Sequence, residues 1–153
     1  MSIDILKKES LKHGGYVSQE RLGTEYFEAG NYEQAVYWWT LAAQQGCFVS
    51  QYKLAQAYDK GWGVKKNHEE AVQWAKRAAR QDHEQAQEWL GNMYATTDST
   101  YNRRTMYWYT KAASRGSAIA HEWLANSYKE NPEAWVKAML DSTTYDGKDF
   151  YDY

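Results

Sequence analysis

Leu54-Ala55-Gln56-Ala57-Tyr58 is one copy of a pattern that sets the architecture of the whole chain. Leucine, then glycine or alanine, then a tyrosine four places after the leucine, recurs at Leu22-Gly23…Tyr26, Leu90-Gly91…Tyr94 and Leu124-Ala125…Tyr128. The steps between copies are 32, 36 and 34 residues. An Ala-Ala pair follows in the same frame at Ala42-Ala43, Ala78-Ala79 and Ala112-Ala113. A period of this size marks an array of helical hairpins, in which each unit buries its apolar face against its neighbours. The functional question therefore becomes which surface the stack presents.

Helix punctuation fills in the frame. The first hairpin is expected over residues 18–29 and 31–45, with Gly30 and Gly46 closing its helices. Asn31-Tyr32-Glu33-Gln34 and Asn67-His68-Glu69-Glu70 have the form of capping boxes, where the Asn side chain accepts from an amide three residues on. The second hairpin reads as 48–59 and 68–81, the third as 84–96 and 102–115. A fourth first helix spans 117–129, and Asn131-Pro132 opens a last one to residue 140. No strand signal occurs. The chain thus divides into an N-terminal capping helix (1–17), a repeat array (18–140) and an acidic, aromatic tail (141–153). The expected class is all-α: an α-α superhelical solenoid of about three and a half to four hairpin repeats.

The tail mixes Tyr145, Phe150, Tyr151 and Tyr153 with Asp146, Asp149 and Asp152. It reads first as a frayed end, next as a segment folded back onto the last hairpin, which lacks a neighbour, and last as a dedicated recognition tail.

Composition excludes several classes. A formal net charge of -2 gives no global field toward nucleic acid or membrane. Cys47 is the single cysteine, so no internal disulfide forms and a reducing compartment suits the chain. No secretory segment or apolar run long enough to cross a membrane is present, so a cytoplasmic location is expected. The four histidines show no i, i+4 pairing, and no HExxH, CxxC or phosphate-cradling loop exists. No metal, cofactor or catalytic residue is therefore assigned. Lys76, Arg77, Arg80, Arg103, Arg104, Lys111 and Arg115 gather on second helices as a basic stripe. It reads first as a solvated face, and the minor alternative is contact with nucleic-acid phosphates.

Helical geometry places a groove. With Leu22, Tyr26 and their equivalents in the core, the residues two before and two after each leucine share another face. One row is Glu20, Tyr52, Glu88 and Glu122; the other is Thr24, Gln56, Asn92 and Asn126. These eight are the candidate partner-binding residues, and they make a polar groove with an acidic bias. Neighbouring helices lie about 8–10 Å apart, so carboxylates on them repel by only about 0.4 kcal/mol in water. That holds no proton at pH 7 and argues against acid–base chemistry. Trp89 and Trp123 stand one place before the leucine, where repeats one and two carry Arg21 and Lys53. They either pack between hairpins or form an aromatic shoulder to the groove. Trp38, Trp39, Trp74 and Trp108 read as wedges between hairpins.

Tyr52-Lys53-Leu54-Ala55…Tyr58-Asp59-Lys60-Gly61-Trp62-Gly63-Val64…Asn67…Ala71-Val72…Trp74-Ala75…Ala78-Ala79 resembles the Sel-one-like repeat, a relative of the tetratricopeptide repeat. The Gly-x-Gly-Val loop at Gly61 separates the two and appears once; Phe27-Glu28-Ala29-Gly30-Asn31-Tyr32 resembles an ordinary tetratricopeptide turn. The resemblance implies a right-handed superhelix whose first helices line a concave groove, and a non-catalytic module that holds other proteins. Short stand-alone bacterial members include immunity proteins. From that follows the expectation of a toxin domain with a basic patch as partner, with a signalling or assembly adaptor as the alternative.

Overall fold

The computed structural model describes residues 2–98 and 100–148, and these carry nine α-helices and no strand. They are α1 (Ile3–His13), α2 (Tyr16–Glu28), α3 (Tyr32–Gln44), α4 (Phe48–Lys60), α5 (His68–Arg80), α6 (Glu84–Thr97), α7 (Arg103–Ser114), α8 (Ala118–Glu130) and α9 (Pro132–Ser142). From α2 to α9 every boundary falls within two residues of the sequence expectation. The chain divides into two compact units, Met1–Ala78 and Ala79–Tyr153.

Asparagine starts every second helix. Asn31, Asn67, Asn102 and Asn131 each accept, through Oδ1, from the amide three residues on, at 3.0–3.3 Å. Such a cap contributes about 1 kcal/mol. The first helices are treated differently. Gly15, Cys47 and His83 stand at their N-caps without a side-chain cap, and only Ser117 caps α8.

In the first unit Leu6, Leu22 and Trp38 form a core cluster, flanked by Ile3, Tyr26 and Leu41. The glycine of the repeat motif has a steric cause. A Cβ on Gly23 would lie 2.4 Å from Trp39 Cδ1, so the indole of α3 lies directly on the backbone of α2. In the second unit a Cβ on Gly91 would lie 2.8 Å from the ring of Tyr109. Trp39 and Tyr109 hold the same register position, three before the Ala-Ala pair. The second hairpin has Ala75 there, with Ala55 in place of glycine. Motif glycine and facing ring thus exchange together for two alanines.

A further row is glutamine. Gln19, Gln51 and Gln87 are buried at the same register. Gln51 Nε2 donates to the Ala43 carbonyl at 3.1 Å, and Gln87 Nε2 to Ala79 at 2.9 Å. Each adds a second hydrogen bond to a carbonyl at the end of the preceding helix that already accepts from a turn amide, that of Gly46 or Asp82.

The fourth repeat departs from the expectation of a buried motif. Leu22, Leu54 and Leu90 are fully buried, whereas Leu124 is half-buried and Tyr128 is 48% exposed. The cause is the connection: α8 and α9 are joined through Asn131 alone, so α9 packs on α7 as well as on α8. Residues 143–148 lie against α7, with Tyr145 buried. Residues 149–153, with Phe150, Tyr151, Tyr153, Asp149 and Asp152, lie outside the described residues.

Candidate protein-binding face

In the first unit, α2 and α4 bring Glu20 and Thr24 together, with Gln56 beside them, three of the eight residues the sequence assigned to a groove. Thr24 Oγ1 donates to Glu20 Oε1 at 3.0 Å, and Lys53 Nζ donates to both Glu20 Oε1 (2.5 Å) and Thr24 Oγ1 (2.6 Å). The ammonium also sits 5.6 Å from the centroid of the Trp39 ring. Lys53 stands one place before the core leucine. It reaches into the row and pairs with the Glu20 carboxylate.

Beside this triad lies a cleft of about 270 Å³, lined by Thr24, Phe27, Glu28, Trp39, Lys53, Gln56 and Trp62. Phe27 is its hub, with ring centroids 5.5 Å from Trp39 and 5.0 Å from Trp62. Trp62 is delivered by the Gly61–Val64 loop. Gly63, at φ 68°, brings that loop so close to α3 that a Cβ would lie 2.4 Å from the Tyr32 carbonyl. Thr24 and Gln56 were legible as surface polar residues. Phe27 and Trp62 were not assigned, and the available signal was the tight Gly-Trp-Gly spacing. Tyr52 is half-buried on α4 and does not line the cleft.

In the second unit, Glu88 is half-buried and accepts from Ser117 Oγ at 2.8 Å. Burial, helped by the Glu88 charge, pushes the Tyr109 hydroxyl up to about 12. Trp123, half-buried, stacks on Tyr109 with centroids 4.3 Å apart and planes at 20°. Trp89 is half-buried on α6. Asn92, Glu122 and Asn126 are exposed.

The basic stripe is largely engaged within the protein. Lys76 is buried, 3% exposed, against the expectation of a solvated position. Arg77 lies over Trp74 at 4.4 Å. Arg104 pairs with Asp98 at 2.9 Å and Arg115 with Asp82 at 2.5 Å. Among the described residues no three His, Cys, Asp or Glu side chains gather as a metal-binding group. None of the described helices is long and apolar enough to cross a membrane.

The Sel1 repeat profile matches residues 17–47, 49–83 and 102–117, more than half of the chain. No curated protein matches it. Among solved structures, the chain is similar to a Sel1 repeat protein from Oxalobacter formigenes, with 28% identity and a TM-score of 0.68 over 76% of this chain and 51% of that one. It is also similar to c5321, a protective antigen of uropathogenic Escherichia coli strains displaying an SLR fold. There the identity is 22% and the TM-score 0.73, over 89% of this chain and 32% of that one. The chain spans about half the length of the first and a third of the second.

Proposed function

The chain belongs to the Sel1 repeat family, whose fold is a protein–protein interaction module, and from that premise we propose that the α2–α4 face of the first unit grips a protein partner. One observation carries the reading: a cleft walled by Phe27, Trp39 and Trp62 beside a locked Lys53–Glu20–Thr24 triad. Aromatic walls supply the contact area on which binding hot spots depend. The hydrogen-bonded triad has little rotamer freedom left to lose, which favours affinity. Thr24 and Gln56 offer neutral hydrogen bonds, and Glu28, exposed on the rim, offers a charge to a basic residue of the partner. Tyr52, half-buried on α4, is a supporting position, and on the second unit Glu88, Asn92, Glu122 and Asn126, with Trp89 and Trp123, are a separate candidate set.

Within this reading the narrower proposal is neutralisation of a toxin domain with a basic patch by a non-catalytic immunity protein. Its support is the preorganised triad, which suits one partner held tightly. A partner purified from the native host should bind at nanomolar strength or better as a single species; several weak partners would mark an adaptor instead. Thr24→Arg and Gln56→Arg, which fill the cleft, should weaken that complex at least tenfold. Unchanged affinity in both folded variants would remove the cleft from the interface.

A further inference from the structure

The face of α7 that carries Arg103, Tyr107 and Lys111 holds residues 143–148 in the manner of a bound peptide. Tyr145, 6% exposed, meets Tyr107 edge-on at 5.1 Å, and the Arg103 guanidinium lies 5.3 Å from the Tyr145 ring. Arg80 Nη2, at the end of α5, donates to the Gly147 carbonyl at 3.1 Å. Asp146 Oδ1 accepts from the Lys148 amide at 3.0 Å and turns the segment. Gly147 is required twice over. Its φ is +80°, and a Cβ there would lie 2.9 Å from Tyr107 Cε1 and 3.3 Å from Trp108 Cη2. Burial, with the nearby Asp146 charge next in weight, raises the Tyr107 hydroxyl above its ordinary range.

An aromatic slot, a guanidinium set for a carbonyl and a surface that admits only glycine form a recognition sequence. A tail held by general stickiness needs none of them. We propose that this face of α7 is a peptide-binding site for a Tyr-Asp-Gly segment, with residues 143–148 as its resident ligand. A partner carrying the same aromatic–acidic–glycine chemistry takes the site once the resident segment lifts. The site is separate from the α2–α4 cleft and stands without it. A tethered segment acts at an effective concentration near the millimolar range, so the free peptide competes poorly while the resident segment stays seated.

The test uses the labelled peptide Thr-Thr-Tyr-Asp-Gly-Lys, followed by fluorescence anisotropy. The full chain should bind it negligibly. A chain ending at Ser142 should bind it saturably, and peptides with alanine for the tyrosine or for the glycine should bind at least tenfold more weakly. Arg80→Ala in the shortened chain should weaken binding as well. Gly147→Ala in the full chain lifts the segment without deletion and should bind the peptide, which keeps the test open if the shortened chain fails to fold. No binding to a folded variant would overturn the proposal. So would equal binding of all three peptides alongside retention on heparin, since the face would then read charge alone.

Discussion

The two units solve one packing problem with different chemistry. In each, a motif glycine on a first helix lies under an aromatic ring from the second, Gly23 under Trp39 and Gly91 under Tyr109. The next first helix then covers that ring. In the first unit the cover is Lys53, a cation that also neutralises Glu20 and leaves an aromatic cleft open beside it. In the second it is Trp123, which stacks on Tyr109 and brings no charge. Glu88, at the register of Glu20, is left to the hydroxyl of Ser117. One residue, Lys53 against Trp123, thus separates a pocketed, charge-balanced face from a packed one with its carboxylate hydrogen-bonded.

The steepest way to break the parallel is at the glycines. Gly23→Ala puts a methyl 2.4 Å from a buried indole. Overpacking of this kind costs about 1–3 kcal/mol, against about 1 kcal/mol gained in helix propensity. The close approach places the cost at the upper end of that range, so a net loss of about 2 kcal/mol in urea unfolding is expected. Gly91→Ala, at 2.8 Å from a smaller ring, should lose about 1 kcal/mol. Combining Gly23→Ala with Trp39→Ala recreates the Ala55 and Ala75 arrangement of the second hairpin. It should cost less than the two changes summed, because residues in contact couple.

Lys53→Met asks whether the cation serves the fold or only the face. Its side chain is 27% exposed and that of Glu20 is 20% exposed. Removing one partner strands a partly desolvated carboxylate, at about 1–2 kcal/mol. Adding Glu20→Gln should recover most of the loss. If Lys53→Met unfolds at the native urea midpoint, the triad belongs to binding alone.

Much of this was legible in the sequence, and for a physical reason. Period, helix starts and glycine stops are local properties, so the Leu-x₃-Tyr register placed α2 to α9 to within two residues. Glu20 and Thr24 meet because i and i+4 positions share a face. Side-chain reach did not follow. Lys53 sits beside the core leucine in register, but its four-carbon stem carries the ammonium to Glu20 and Trp39. Trp62 lies in a loop whose path depends on Gly63 meeting α3, a contact between residues 31 positions apart. The seat of Tyr145 and Gly147 on α7 is likewise non-local.

The helix starts sharpen the comparison further. Cys47 and Ser117 hold the same N-cap position, yet only Ser117 caps, accepting from the Ala120 amide at 3.0 Å. Cys47→Ser should give the first unit that cap and raise stability by about 1 kcal/mol. Ser117→Ala should lose about as much, and more if the stranded Glu88 contributes. Equal melting temperatures for Cys47→Ser and the parent would show that the backbone at Cys47 does not admit the bond.

The smallest effect is a pH dependence at the third such position. His83 starts α6, and desolvation by burial lowers its pKa below the ordinary 6.5. The helix N-terminus there also disfavours a positive charge. As pH falls through 6.5 toward the lower folded value, the unfolded chain binds the proton first. Stability therefore drops with acidification across that window, and the contribution is complete above pH 6.5. Urea midpoints at pH 7.5 and 5.5 should differ in that direction. His83→Ser, which copies Ser117, should remove this component and add a cap. A variant whose acid sensitivity matches the parent would assign the dependence to other groups.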